Sequence, residues 1–161
     1  MNLAVYPGSF DPITLGHLDV LERATGIFDR VIVAVLQNPG KSPLFSVEDR
    51  MEMIRESVGD NDRVEVASFD GLTVDFAQKV GARSIVKGLR AVSDFESEFQ
   101  QALFNRKLAP SVTTVFLMTS FANVFLSSSL VKEVARFGGD VSFAVSPSVA
   151  RRMADLLTER S

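Results

Sequence analysis

The chain has 161 residues, 46% of them hydrophobic and 23% charged, the size and balance of one globular domain that can bury its own core. It contains no cysteine and one histidine, and its net charge is −3. These counts exclude disulfides, thiol nucleophiles, iron–sulfur and thiolate-zinc sites and any multi-histidine metal centre, and they argue against a general nucleic-acid surface, while carboxylate-bound magnesium stays open.

Residues 2–6 form a short apolar run that predicts a first strand, and no basic side chain precedes it as a signal peptide requires. Residues 16–28 place Leu18, Leu21, Ala24 and Phe28 at helical spacing. Residues 30–36 (RVIVAVL) are apolar and β-branched almost throughout, the mark of a strand buried on both faces. Ser46 then caps a helix whose apolar face carries Met51, Ile54 and Val58. Residues 63–69 alternate as a third strand, 72–80 read as a short helix stopped by Gly81, and 84–87 as a fourth strand. Ser93 and Glu96 predict a capping box for a helix reaching about Leu108, with Phe95, Phe99, Leu103 and Phe104 as its packing face. Residues 112–118 form a fifth strand, 127–137 a helix closed by Gly138 and Gly139, and Ser146 with Pro147 opens a last helix. The longest uncharged run, residues 108–131, contains Pro110, Asn123 and eight serines or threonines. That is too polar for a bilayer, so the chain is expected in the cytoplasm, without membrane or nucleic-acid partners.

Alternation of this kind predicts an α/β domain, a single Rossmann-like, doubly wound, five-stranded parallel sheet spanning residues 1–161. Such sheets bind ligands beyond the carboxyl ends of their strands, so chemistry is expected in the loops that follow them. The loop after the first strand holds Gly8, Ser9, Gly16 and then His17 at a helix start, where N–H groups and the helix dipole attract phosphate. After the second strand come Gly40, Lys41 and Ser42. They look like the end of a phosphate-binding P-loop, but Val35 stands where its first glycine belongs, leaving Lys41 as a phosphate clamp on a mobile loop. After the fourth strand Lys87 and Arg90 bracket Gly88, a point charge and a planar fork. After the fifth, Ser127, Ser128 and Ser129 offer hydroxyls and a helix start to an oligophosphate. There is no nucleophile elbow and no G-x-G-x-x-G fingerprint. A set of His17, Lys41, Lys87 and Arg90 around a phosphate-rich ligand, with no evident covalent nucleophile, favours direct attack by the substrate's own phosphate.

Gly8-Ser9-Phe10-Asp11-Pro12 followed by Thr14-Leu15-Gly16-His17 resembles the signature of the T-x-G-H nucleotidyltransferases. Lys87-Gly88-Leu89-Arg90, Asp94-Phe95-Glu96 and residues 127–134 (SSSLVKEV) resemble, within that superfamily, the phosphopantetheine adenylyltransferases, and the resemblance covers essentially the whole chain. It implies transfer of an adenylyl group from ATP to 4′-phosphopantetheine, giving dephospho-coenzyme A and pyrophosphate in the penultimate step of coenzyme A synthesis. It also implies magnesium (Mg2+), a homohexamer and feedback inhibition by coenzyme A (CoA). By motif match, Ser9, Lys41, Thr73 and Lys87 would contact phosphopantetheine. Ser9, Phe10, His17, Gly88, Leu89, Arg90, Glu98, Asn123, Val124, Phe125, Leu126, Ser127, Ser128 and Ser129 would contact ATP. His17, Lys41 and Arg90 would stabilise the transition state. Ser9 and Lys87 replace the family's frequent threonine and arginine, while Asn123, Val124 and Ser97 depart further from it. The alternatives are another T-x-G-H enzyme, acting on a mononucleotide or on glycerol phosphate, and a non-catalytic nucleotide or CoA sensor on the same fold.

Overall fold

The computed structural model describes residues 2–38, 40 and 42–159. Five strands and six helices follow one another as β1 (Leu3–Gly8), α1 (Leu15–Ile27), β2 (Arg30–Leu36), α2 (Val47–Val58), β3 (Val64–Phe69), α3 (Thr73–Lys79), β4 (Ser84–Leu89), α4 (Val92–Leu108), β5 (Thr113–Met118), α5 (Ser128–Arg136) and α6 (Pro147–Glu159). The strands form one parallel sheet in the order β3-β2-β1-β4-β5, so the doubly wound α/β expectation holds.

Alternation along the central strands divides the core. Ala4 and Tyr6 of β1, with Val31, Val33 and Val35 of β2, face a layer built by α1, α2, α5 and α6. Val5, Ile32 and Ala34 point the other way, into a smaller cluster with Val74 and Ala77 of α3. Both faces are covered, which is why β2 has no polar side chain between its ends.

The chain reverses direction between β1 and β4, the switch point of the sheet. β1 pairs with β2 along its full length, from Leu3↔Arg30 to Gly8↔Val35. With β4 it keeps register at Ala4↔Ser84 and Val5↔Ile85. The two strands part beyond Val5, and a cleft opens at their carboxyl ends.

Ser46 caps α2 by accepting the Asp49 N–H, Ser127 caps α5 by accepting the Leu130 N–H, and Gly81 ends α3 at φ 77°. A capping box of Ser93 and Glu96 is not what opens α4. The backbone enters that helix at Val92, with Ala91 extended at the cap and no side-chain cap bond. Nor does the apolar face of α4 pack into the core. Phe95, Phe99, Leu103 and Phe104 are 43%, 46%, 49% and 73% exposed in the single chain. The phenylalanines as a whole lie less inside than composition leads one to expect. Phe10, Phe28, Phe45 and Phe69 are buried, whereas Phe121, Phe125, Phe137 and Phe143 join those of α4 on the surface. Among the described residues no helix is long and apolar enough to cross a membrane.

Candidate active site

The cleft at the switch point is a cavity of about 320 Å³ whose walls come from the ends of β1, β4 and β5 and the starts of α1, α4 and α5. His17 lines it from α1, Lys87, Gly88 and Arg90 from β4 and the turn after it, Asp94 and Glu98 from α4, and Ser127, Ser128 and Ser129 from α5.

Thr14 and His17 begin α1 as a reciprocal capping box. The Thr14 hydroxyl accepts the His17 N–H, and His17 Nδ1 accepts the Thr14 N–H at 3.0 Å. A ring nitrogen that accepts from a backbone amide carries no proton, so the neutral ring bears its hydrogen on Nε2. Burial, reinforced by the positive charge of Arg90, lowers the His17 pKa to about 4. His17 is therefore a neutral hydrogen-bond donor at physiological pH. Its ring packs edge-on against Phe10 with centroids 5.1 Å apart, and Phe10 packs in turn against Tyr6 at 5.3 Å. Phe10 holds φ at 47°, a left-handed conformation uncommon for a side chain of its size, and its ring is buried.

Arg90 is fixed at two points. Its Nε donates to Asp94 at 3.2 Å and its Nη1 donates to the Leu126 carbonyl at 3.0 Å. Lys87 pairs with Glu98 at 3.3 Å, and this Glu98 oxygen is buried without a hydrogen bond among the described residues. Gly88 sits under α1, where an added Cβ would come within 2.8 Å of Val20 Cγ2. The helix that carries His17 can approach β4 this closely because position 88 has no side chain.

The serine end of α5 divides its labour. The Ser127 hydroxyl is the cap, and the Ser128 hydroxyl donates to the Pro12 carbonyl at 2.7 Å. Two of the three hydroxyls thus serve the fold. What the helix start offers a phosphate is its first N–H groups and Ser129.

A second cavity of about 220 Å³ adjoins the first through Ser128 and Ser129 and is also lined by Ser9, Asp11, Leu36, Ser42, Arg50 and Lys132. Arg50 and Asp11 are both buried. Arg50 donates to the carbonyls of Ser9, Leu36 and Ser46. Asp11 accepts the N–H groups of Leu44 and Phe45 and pairs with Lys132 at 2.8 Å. Burial would raise the Asp11 pKa, but Lys132 and the two amides outweigh it and hold the carboxyl below its ordinary value.

The structure therefore gathers His17, Phe10, Lys87, Gly88, Arg90, Glu98, Leu126 and the three serines around one cavity, with Ser9 on the adjoining one. Lys41 lies outside the described residues. Thr73 opens α3 and Leu89 ends β4, and neither lines either of these two cavities. Asn123, Val124 and Phe125 form the turn before α5. The Asn123 side chain donates to the Ser120 hydroxyl, and the exposed Phe125 stacks on Phe143. Sequence reasoning missed Asp19, which accepts the Ser120 N–H at 2.6 Å and ties that turn to α1. It also missed Arg50, although a lone arginine in register with Met53 and Ile54 on a buried helical face was a visible signal. Among the described residues no group of three histidine or carboxylate side chains could hold a metal.

Comparison with known proteins gives consistent results. A family model described as cytidylyltransferase-like matches residues 5–134. The phosphopantetheine adenylyltransferase of Heliobacterium modesticaldum is 61% identical over 155 residues, covering 96% of this chain and 92% of that protein. The phosphopantetheine adenylyltransferase of Caldanaerobacter subterraneus is 57% identical, covering 96% of this chain and 97% of that one. The same fold occurs in the crystal structure of a Vibrio parahaemolyticus protein described as a nicotinate-nucleotide adenylyltransferase, with a TM-score of 0.70 and 18% identity over 96% of this chain and 99% of that one.

Proposed function

The chain belongs to the phosphopantetheine adenylyltransferase family of cytidylyltransferase-like nucleotidyltransferases, and on that footing we propose that it transfers adenylyl from ATP to 4′-phosphopantetheine by direct in-line attack. Dephospho-coenzyme A and pyrophosphate are the products. The observation that carries the mechanism is the neutral His17, a fixed Nε2–H donor beside Arg90 and the serine start of α5.

The acceptor's phosphate is already an anion near neutral pH and needs no general base. Its difficulty is meeting a second polyanion. The side chains supply position and charge in place of a nucleophile: Arg90, locked by Asp94 and Leu126, and His17, locked by Thr14, keep their geometry before substrate arrives. ATP would occupy the larger cavity with its phosphates toward α5 and the acceptor's phosphate would meet them near Ser9, while the family resemblance adds Lys41, Thr73 and Lys87 as contacts of phosphopantetheine. Magnesium would be held mainly by the ATP phosphates, whose hard oxygens suit it, and would neutralise part of their charge. A homohexamer, feedback inhibition by CoA and work in the cytoplasm complete the proposal on the family resemblance, and the exposed apolar face of α4 is a surface on which copies could associate.

The test is pyrophosphate release with ATP, magnesium and phosphopantetheine, beside reactions offering nicotinamide mononucleotide with ATP and glycerol 3-phosphate with CTP. Release with phosphopantetheine alone is expected. Release with another acceptor alone would keep the chemistry and overturn the substrate, and ATP binding without release would make the chain a sensor.

A further inference from the structure

Asp11 and Arg50 are the two charged residues that are buried among the described ones, and both line the second cavity. This coincidence needs a reason, because buried charges cost desolvation and apolar side chains of similar volume would hold the fold as well or better. Their partners supply it. Asp11 binds the amides of Leu44 and Phe45, next to the cavity residues Ser42 and Pro43, and binds Lys132 one turn into α5. Arg50 ties the Ser9 carbonyl to the Leu36 carbonyl at the end of β2. Among the described residues, Asp11 bridges the segment at residues 42–45 to the wall at α5, and Arg50 holds the Ser9 and Leu36 side.

We propose that Asp11 is a positioning residue for the acceptor: it fixes the spacing between the residue 42–45 wall and the serine end of α5, and so the line along which a phosphate monoester meets the α-phosphorus of ATP. The inference rests on the transfer reaction proposed above. Asp11 does not line the larger cavity, so its loss falls on the acceptor and on turnover rather than on ATP binding. A misplacement of the order of 1 Å costs about 10²-fold in such a reaction.

The experiment compares wild type, Asp11→Asn, Lys132→Met and the double variant by acceptor KM, kcat and calorimetric ATP binding. Asp11→Asn keeps the volume but sets an amide donor against donors. It is expected to raise acceptor KM and lower kcat by about tenfold or more, with ATP affinity within about twofold of wild type. Lys132→Met keeps both amide bonds and is expected to show a smaller change in the same direction. The double variant is expected to be no worse than Asp11→Asn, because both changes break one connection. Wild-type kinetics in a folded Asp11→Asn protein would overturn the proposal, as would parallel loss of ATP affinity or additive effects. Should Asp11→Asn fail to fold, normal KM and kcat in Lys132→Met would overturn it alone. Wild-type protein that turns over only another acceptor would refute the substrate assignment, and the same four proteins would then be compared with that acceptor.

Discussion

His17 Nδ1 accepts the backbone N–H of Thr14 at 3.0 Å, and that bond fixes which nitrogen of the ring can serve a substrate. The chain has one histidine, so its imidazole resonances are unambiguous in an NMR titration. Burial and Arg90 lower the pKa, and no titration is expected between about pH 5.5 and 8, with the transition near a value of about 4. The folded state then resists a proton that the unfolded chain accepts below its free value of about 6.5. Stability contributed at this residue is complete above that value and falls as pH drops toward about 4. A midpoint near 6.5 in the free protein would show that the ring is not held neutral.

Removing the donor tests the chemistry. His17→Ala is expected to lower kcat by at least about 10²-fold, the usual worth of one such preorganised group. It also ends the capping box at α1, at a cost of about 1 kcal/mol in thermal or denaturant unfolding. Turnover close to normal in the folded variant would remove His17 from the mechanism.

Arg90→Lys keeps the charge and loses the fork. A lysine cannot reach Asp94 and the Leu126 carbonyl together while facing a phosphate. The expected result is a kcat/KM for ATP lower by about 10- to 10²-fold, with little change in melting temperature because the Asp94 pair is largely solvated. Equal activity with lysine would mean that charge alone is required.

Gly88→Ala places a methyl group 2.8 Å from Val20 Cγ2, three residues along α1 from His17. Overpacking of this kind costs about 1–3 kcal/mol and is relieved by moving the helix. Activity is expected to fall with stability, and adding Val20→Ala is expected to restore both in part. A Gly88→Ala protein with full activity would show that α1 has room to spare.

The strands were the most legible part. Residues 30–36 were predicted to the residue, because a run this short and this rich in β-branched residues favours a strand buried on both faces. β4 runs two residues further than expected, since Gly88 hides the end of a strand whose neighbour is a helix rather than another side chain. Ser93 and Glu96 fit the spacing of a capping box, but the backbone enters the helix at Val92, before Ser93, and the pattern cannot know where the backbone turns. The phenylalanines of α4 had helical spacing but open surroundings, and spacing reports a face without saying what covers it. Within the site, His17, Arg90 and the serines could be singled out because each lies in, or opens the helix after, a loop at a strand's carboxyl end. Arg50 showed only that it lies on a buried helical face, and what it and Asp11 hold was not legible, because those partners, such as Leu36, Leu44 and Lys132, are distant in sequence. The division of labour among Ser127, Ser128 and Ser129 was hidden for the same reason.

The parting of β1 from β4 has a mechanical consequence. Register between them is kept at Ala4↔Ser84 and Val5↔Ile85, while the sheet on either side runs on unbroken, from Leu3↔Arg30 to Gly8↔Val35 and from Ser84↔Thr113 to Leu89↔Met118. The sheet is thus two plates, β3-β2-β1 and β4-β5, paired only along the first part of their common seam. The groups proposed to grip phosphate stand on both plates, His17 on the helix that leaves the first and Arg90 on the turn after β4 of the second. In the proposed reaction a bound nucleotide would act as a clasp across the open part of the seam, and each product release would unfasten it.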